Sequence, residues 1–151
     1  EENAILKAKN AFTKTNISSV GDDSGLIVPA INNEPGLYSA RYAGLNATDS
    51  DNRNKLISKL KDNKLESTYA YFFCCIVAVG IKGQNEIIVC DGKVEGEVRT
   101  IERGEKGFGY DPMFYPKGYS ESFAELNSLE KNKISHRGQA LKKLMDKLNK
   151  T

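Results

Sequence analysis

Histidine occurs once in this sequence, at position 136, so any catalytic layout that needs an imidazole must use that residue. No strained nucleophile-elbow pattern accompanies it to complete a Ser–His–Asp triad. Cysteine is scarce and odd in number, three residues with two adjacent at Cys74 and Cys75. That count makes no disulfide framework and fits a reducing, cytoplasmic setting. An excess of charge of either sign is also missing: 22 basic against 20 acidic residues leave +2, which disfavours a nucleic-acid binder or an acidic tail. No apolar run reaches the roughly 18–20 residues of a membrane span, and no secretory leader pattern opens the sequence. Internal repeats, low-complexity tracts and linkers are absent.

What is present fits one compact domain of two lobes: 151 residues, 39% hydrophobic and 28% charged, enough to bury a core. Lysine outnumbers arginine 17 to 5 and there are 13 asparagines, which reads as genome base composition. Ala4, Ala8 and Ala11 with Ile5 and Phe12 recur at helical spacing, so Glu1 to about Thr15 is expected to be a helix. It opens with no cap and no starter strand ahead of it, the pattern of a chain whose upstream sequence is missing.

Ile17 to Val20 reads as a short strand, Gly21-Asp22-Asp23-Ser24-Gly25 as a sharp turn, and Leu26 to Val28 as a short apolar run. Residues 29–47 form a loop rich in turn residues. Thr48 and Asp51 make a capping box for a helix to about Asp62 that buries Leu56, Ile57 and Leu60. In Ser67 to Val79 both alternating sets are apolar or aromatic, so this strand is expected to be buried on both faces. Glu86 to Cys90 and Val94 to Arg103 follow as strands joined by an Asp91-Gly92 hairpin turn. A Gly- and aromatic-rich loop, 104–120, leads to a short helix capped by Ser122 and Glu125. Ser135 is the N-cap of the last helix, whose buried stripe is read as Leu141, Leu144, Met145 and Leu148. The elements mix without strict alternation, giving an α/β fold with a mixed sheet.

Three segments can carry chemistry. Adjacent carboxylates on a tight turn, Asp22 and Asp23, can face one site and offer hard oxygens to Mg²⁺, which binds through one or two carboxylates plus substrate phosphates. Asp, Ser and Gly are equally the ordinary residues of a turn. Gly104 to Pro112 has glycines that let a ligand approach the backbone and aromatics that can stack on a base. It is neither a Walker loop nor a dinucleotide fingerprint, and a plain glycine-rich connection reads the same way. Ser135-His136-Arg137-Gly138 opens a helix, where free N–H groups and a bidentate Arg favour anions and acceptors. His136 can as well be a packing residue, and Lys131 either joins that site or is solvated. Cys74 and Cys75 point to opposite faces of a buried strand and cannot share one zinc; they are structural.

Together the segments resemble the inosine/xanthosine triphosphate pyrophosphatases. The matching strings are Glu2-Asn3-Ala4 with Lys7-Ala8, Asp22 to Leu26, Pro35-Gly36 with Tyr38 to Tyr42, Ala47-Thr48-Asp49 with Asn52, Gly107 to Pro112, and Ile134 to Gly138, in family order across nearly the whole chain. The resemblance implies an ITPase-like α/β fold of two lobes with a mixed sheet and a central substrate cleft, Mg²⁺ dependence and a homodimer. It implies hydrolysis of a non-canonical purine nucleoside triphosphate to the monophosphate and pyrophosphate. Carried over by motif, Asp23 is the proton acceptor and a metal carboxylate, Asp22 supports it at the metal, and Ser24 touches substrate. Phe108, Gly109, Tyr110 and Asp111 line the nucleoside pocket, Phe108 stacking on the base, while Lys131, His136 and Arg137 reach the base and its surroundings. The 6-keto oxygen of inosine or xanthosine would accept from such donors, where the 6-amino group of adenosine would clash. The family also begins with a strand, a Thr/Ser-x-Asn-x-x-Lys triphosphate loop and a further acidic residue. Glu1 falls after all three, so the alternative reading is a catalytically impaired nucleotide-binding fragment.

Overall fold

The computed structural model describes residues 1–81, 83 and 86–149. The elements run α1 (Glu2–Thr15), β1 (Ser19–Val28), β2 (Glu34–Pro35), α2 (Asp49–Asp62), β3 (Ser67–Val79), β4 (Ile87–Arg99), β5 (Phe114–Pro116), α3 (Ser128–Ile134) and α4 (His136–Asn149), with short 3-10 turns between some of them. The α/β class expected from the sequence holds. Five strands form one sheet in the order β2-β1-β3-β4-β5. Its two outer pairings are antiparallel, Ile27 against Pro35 and Glu97 against Tyr115.

Two compact units are distinguished. The first comprises the described residues of Glu1–Ser24, Phe73–Lys93 and Ser135–Thr151. Here the C-terminal part of β3 is covered on both faces, as its doubly apolar pattern requires. Cys75, Val77 and Val79 pack with Ala4 and Ala8 of α1, while Cys74, Ile76 and Ala78 pack with Ala140 and Leu144 of α4. The buried stripe of α4 is therefore Ala140, Leu144 and the partly buried Leu148. Leu141 and Met145, expected in it, are exposed. Small alanines set the interface because they let each helix lie close to the sheet; Ala11, also expected to pack, is exposed.

The second unit comprises Gly25–Phe72 and Val94–Ile134. Leu56 and Leu60 of α2 pack with Leu26, Val28, Ala70, Phe72 and Val98, and Ile57 joins them partly buried. Phe72, Phe114 and Phe123 form an aromatic knot, with Phe72 and Phe114 at 4.7 Å in an edge-on arrangement and Phe114 and Phe123 at 5.0 Å. In this half of β3, Tyr69 is exposed and Tyr71 half-buried, so burial on both faces fails there.

The Thr48–Asp51 capping box forms as read: the Asp51 N–H donates to Thr48 Oγ1 and the Thr48 N–H to Asp51 Oδ2. Ser122 and Glu125 close only a turn, in which the Ser122 N–H donates to Glu125 Oε2 at 2.7 Å while its hydroxyl goes to the Arg103 carbonyl. The short helix begins later, at Ser128, where Asn127 Oδ1 accepts from the Glu130 N–H. The expected loop 104–120 contains the three-residue strand β5.

Two expected turns are strand interiors. Gly21 to Gly25 lies within the continuous β1, and Asp91-Gly92 within the continuous β4. Glycine within a strand marks a close approach of another backbone, and Gly92 illustrates it. A Cβ there would stand 1.9 Å from the His136 carbonyl oxygen, so β4 carries glycine where the start of α4 presses on it.

Candidate functional site

Because Asp22, Asp23 and Ser24 lie in an extended strand, their side chains alternate between faces. The expectation that both carboxylates face one site from a turn is thus overturned. Asp22 and Ser24 share one face: the Ser24 hydroxyl donates to Asp22 Oδ2 at 3.4 Å. Asp22 Oδ2 also accepts from Arg137 Nε at 2.8 Å. Asp23 points to the other side, where Oδ1 lies 3.5 Å from Lys7 Nζ of α1. The same ammonium donates to the Asp22 backbone carbonyl at 2.9 Å.

Lys7, which meets both acids of β1, is a residue to which the sequence reading gave no role. The available signal was its place on α1: it falls between Ala4 and Ala8, the buried face, so its long stem can run along the sheet and carry its charge to the strand.

Arg137 is held at the start of α4 by local geometry. Ser135 is the N-cap as expected, its Oγ accepting from the Gly138 N–H at 3.1 Å, with the Gln139 N–H on the Ser135 carbonyl. His136, the first residue of the helix, is buried, whereas Arg137 is half-buried and reaches Asp22. Cys74 lies beneath the same face. Burial pushes its thiol pKa up, against the opposing effect of the Ser24 hydroxyl, and Cys75 is likewise raised by burial. All three cysteines are free and buried, in keeping with the structural role read for the adjacent pair.

In the second unit the loop residues Phe108, Gly109, Tyr110 and Asp111 are brought together with Lys131. Asp111 is 3% exposed, and its Oδ2 accepts from the Phe108 N–H at 2.8 Å and from Lys131 Nζ. A buried carboxylate is tolerated only with partners of this kind. Gly107 is required by it, since φ is +77° and a Cβ would meet Asp111 Oδ2 at 2.0 Å. Lys131, neutralised by Asp111, holds its Nζ 4.7 Å from the centre of the Phe108 ring. That ring is 59% exposed, whereas Tyr110, Phe114 and Tyr115 of the same loop are buried. Tyr110 is buried, its hydroxyl donating to the Ser39 carbonyl at 2.8 Å. Burial, with the Asp49 charge adding to it, raises the Tyr110 pKa, which keeps the phenol a donor.

The sequence-predicted residues thus form two clusters, each within one unit: Asp22, Asp23, Ser24, His136 and Arg137, and Phe108 to Asp111 with Lys131. In the first, Asp22 and Ser24 meet Arg137 on one face of β1 while Asp23 meets Lys7 on the other; the second offers an outward aromatic face beside an ammonium. Other residues of the matching strings are structural. Asn52 is buried, its Oδ1 accepting from the Ala43 N–H and its Nδ2 donating to the Ala40 carbonyl. The Tyr42 hydroxyl donates to Glu34 Oε2 at 2.6 Å, which lowers the Glu34 pKa. A groove of about 410 Å³ lined by Tyr69, Glu95, Glu97, Tyr115 and Tyr119 contains none of the candidate residues. Among the described residues, no group of three or more His, Cys, Asp or Glu side chains is placed to cage a metal, and no helix is long and apolar enough to cross a membrane.

The chain is 48% identical over 149 residues to the dITP/XTP pyrophosphatase of Idiomarina loihiensis, covering 99% of this chain and 74% of that protein. It is 45% identical over 148 residues to the dITP/XTP pyrophosphatase of Bacillus anthracis, covering 98% and 73%. Among solved structures it resembles the Staphylococcus aureus Ham1 protein, with a TM-score of 0.87 and 44% identity over 97% of this chain and 74% of that one. A HAM1 protein from Coxiella burnetii gives a TM-score of 0.91 and 42% identity over 99% and 76%. With residues 1–147 matching the model of that family, the chain belongs to the Ham1 family.

Proposed function

We propose that the protein hydrolyses non-canonical purine nucleoside triphosphates (those of inosine, deoxyinosine and xanthosine) to the monophosphate and pyrophosphate; its relatives are named dITP/XTP pyrophosphatases. The observation that carries the reading is the Phe108–Lys131–Asp111 arrangement. An exposed ring with a fixed ammonium beside it suits a flat, acceptor-rich base.

Asp23 is the proton acceptor in this reading. Its carboxylate can take a proton from the attacking water, and it is the hard oxygen donor of its face of β1. The donor set fits magnesium, which takes one or two carboxylates and completes its shell with phosphate oxygens and water. Asp23 would hold the ion, and the chemistry it supplies when bound is neutralisation of charge on the phosphate oxygens. Lys7, beside Asp23, adds a cation for the same negative charge. Asp22 supports the site through Arg137, whose guanidinium it orients. Arg137 and His136 donate toward the 6-keto oxygen, Ser24 touches substrate, and Phe108 stacks on the base. A 6-amino purine would leave those donors facing a donor, and is discriminated against on that ground. A homodimer in the cytoplasm, binding neither nucleic acid nor membrane, completes the proposal.

The test is direct. Incubated with inosine triphosphate and Mg²⁺, the chain is expected to release pyrophosphate in preference to its action on adenosine triphosphate. Release of single phosphates, or equal turnover of the two nucleotides, would sink the reading. Binding of inosine triphosphate without any release would instead favour the impaired-fragment alternative.

A further inference from the structure

Gly109 sits at the open end of the base-side loop in the left-handed region, at φ +61°, yet both of its backbone groups are held by side chains of one helix. Asp49 Oδ2 accepts from the Gly109 N–H at 2.7 Å. Arg53 Nη1 donates to the Gly109 carbonyl at 2.8 Å. Asp49 and Arg53 are four residues apart on α2 and therefore lie on one side of it. Arg53 is itself fixed, since its Nε donates to Glu102 Oε1 at 2.8 Å and its side chain is only 16% exposed. Asp49 is at the first turn of a helix whose start is set by the Thr48–Asp51 box.

We infer that Asp49 and Arg53 are positioning residues for base recognition: by gripping Gly109 they keep the adjacent Phe108 ring turned outward beside Lys131, without touching the base themselves. The inference rests on the proposal that Phe108 stacks on the base. Its physical content is preorganisation. An exposed aromatic on a glycine-flanked loop has many orientations, and a base binding to it must otherwise order the loop at the cost of affinity. Two backbone hydrogen bonds from one rigid helix remove that freedom beforehand. Asp111 holds the loop from its other end through the Phe108 N–H, so the ring is bracketed by a tie on each side.

The experiment uses the two products as probes, because only one carries a base. Binding of inosine monophosphate and of pyrophosphate with Mg²⁺ is measured by calorimetry for the parent chain, Asp49→Ala, Asp49→Asn, Arg53→Ala and Phe108→Ala. Asp49→Ala and Arg53→Ala are each expected to weaken the monophosphate by about tenfold, the size of one lost charge-assisted hydrogen bond. Pyrophosphate affinity should stay at the parent value. Asp49→Asn should bind the monophosphate like the parent, because the amide oxygen still accepts from the Gly109 N–H although the charge at the helix start is gone. Parent-like monophosphate binding in both alanine variants would overturn the inference while leaving stacking intact, provided Phe108→Ala is weakened. Equal damage by Asp49→Asn and Asp49→Ala would overturn it too, by assigning the effect to helix charge. A parallel fall in pyrophosphate affinity would assign it to general loss of structure. Full monophosphate affinity in Phe108→Ala would overturn both the stacking proposal and the inference.

Discussion

Arg137 Nε donates to Asp22 Oδ2 at 2.8 Å across 115 positions of sequence, tying the first turn of α4 to β1. Both side chains are about two-fifths exposed, so the pair adds little to stability. Its consequence is orientational: a planar guanidinium held at Nε has a defined direction for its remaining donors. Arg137→Ala is expected to erode the preference for inosine over adenosine triphosphate, and Asp22→Asn to erode it in the same direction by a smaller factor. The ratio of kcat/KM values for the two nucleotides checks this; an unchanged ratio in Arg137→Ala would remove the residue from base reading.

Asp23→Asn should lower kcat by at least about a hundredfold, as loss of an acid–base group commonly does. The variant keeps the shape of the side chain, so its thermal midpoint should match the parent. Near-parental turnover at saturating substrate and Mg²⁺ would show that the proton goes elsewhere.

The strand glycine that α4 presses on gives a structural test. Gly92→Ala puts a methyl group against the His136 carbonyl, and overpacking of that kind costs about 1–3 kcal/mol. Since α4 carries Arg137, the variant should lose both thermal stability and nucleotide preference. A fully stable and selective Gly92→Ala would show that the helix shifts freely.

Acid sensitivity follows from three carboxylates, Glu34 on the Tyr42 hydroxyl among them. The Thr48 hydroxyl and backbone hold the Asp51 pKa below its ordinary value, and Lys143 does the same for Asp91. A lowered folded-state pKa contributes stability above the unfolded value that is lost as pH falls through the folded one. Melting monitored by circular dichroism should therefore weaken below about pH 4, the unfolded carboxylate range. Thr48→Ala should lower Tm at neutral pH by roughly 2–4 °C and flatten the acid dependence.

The thiols should be silent. Burial raises the pKa of Cys74 and Cys75, and Cys90 is buried as well. A buried thiol is a poor nucleophile, so a disulfide reagent at pH 8 should titrate none of the three in the native protein and all three in denaturant. Fast labelling of the native chain would mean that one face of β3 opens.

Much of this was legible from sequence where local signals agree with long-range packing. The Thr48–Asp51 box, the span of β3 and the Ser135 cap rest on patterns that need no tertiary information. The two misread turns share one cause. Asp22-Asp23-Ser24-Gly25 and Asp91-Gly92 carry turn chemistry but lie inside ten- and thirteen-residue strands. Their glycines answer to backbones packed against them, from α4 on Gly92 and from Ala4 and Ala8 of α1 on Gly21, and no local window contains those neighbours. Lys7 went unassigned for a related reason, since its partner strand is chosen by the alanine face around it. Within the second cluster, the motif pointed to Phe108 and Asp111 together, but only burial separates the outward ring from the inward brace.

The pleat of β1 gives each of the two neighbouring acids its own duty by parity. Loss of a single residue between Ser19 and Asp22 would bring Asp23 to the place beside the guanidinium, and gain of one would bring Asp22 to the place beside the ammonium. The length of this stretch therefore matters to these contacts as much as its composition does, and an insertion is better placed in the connections.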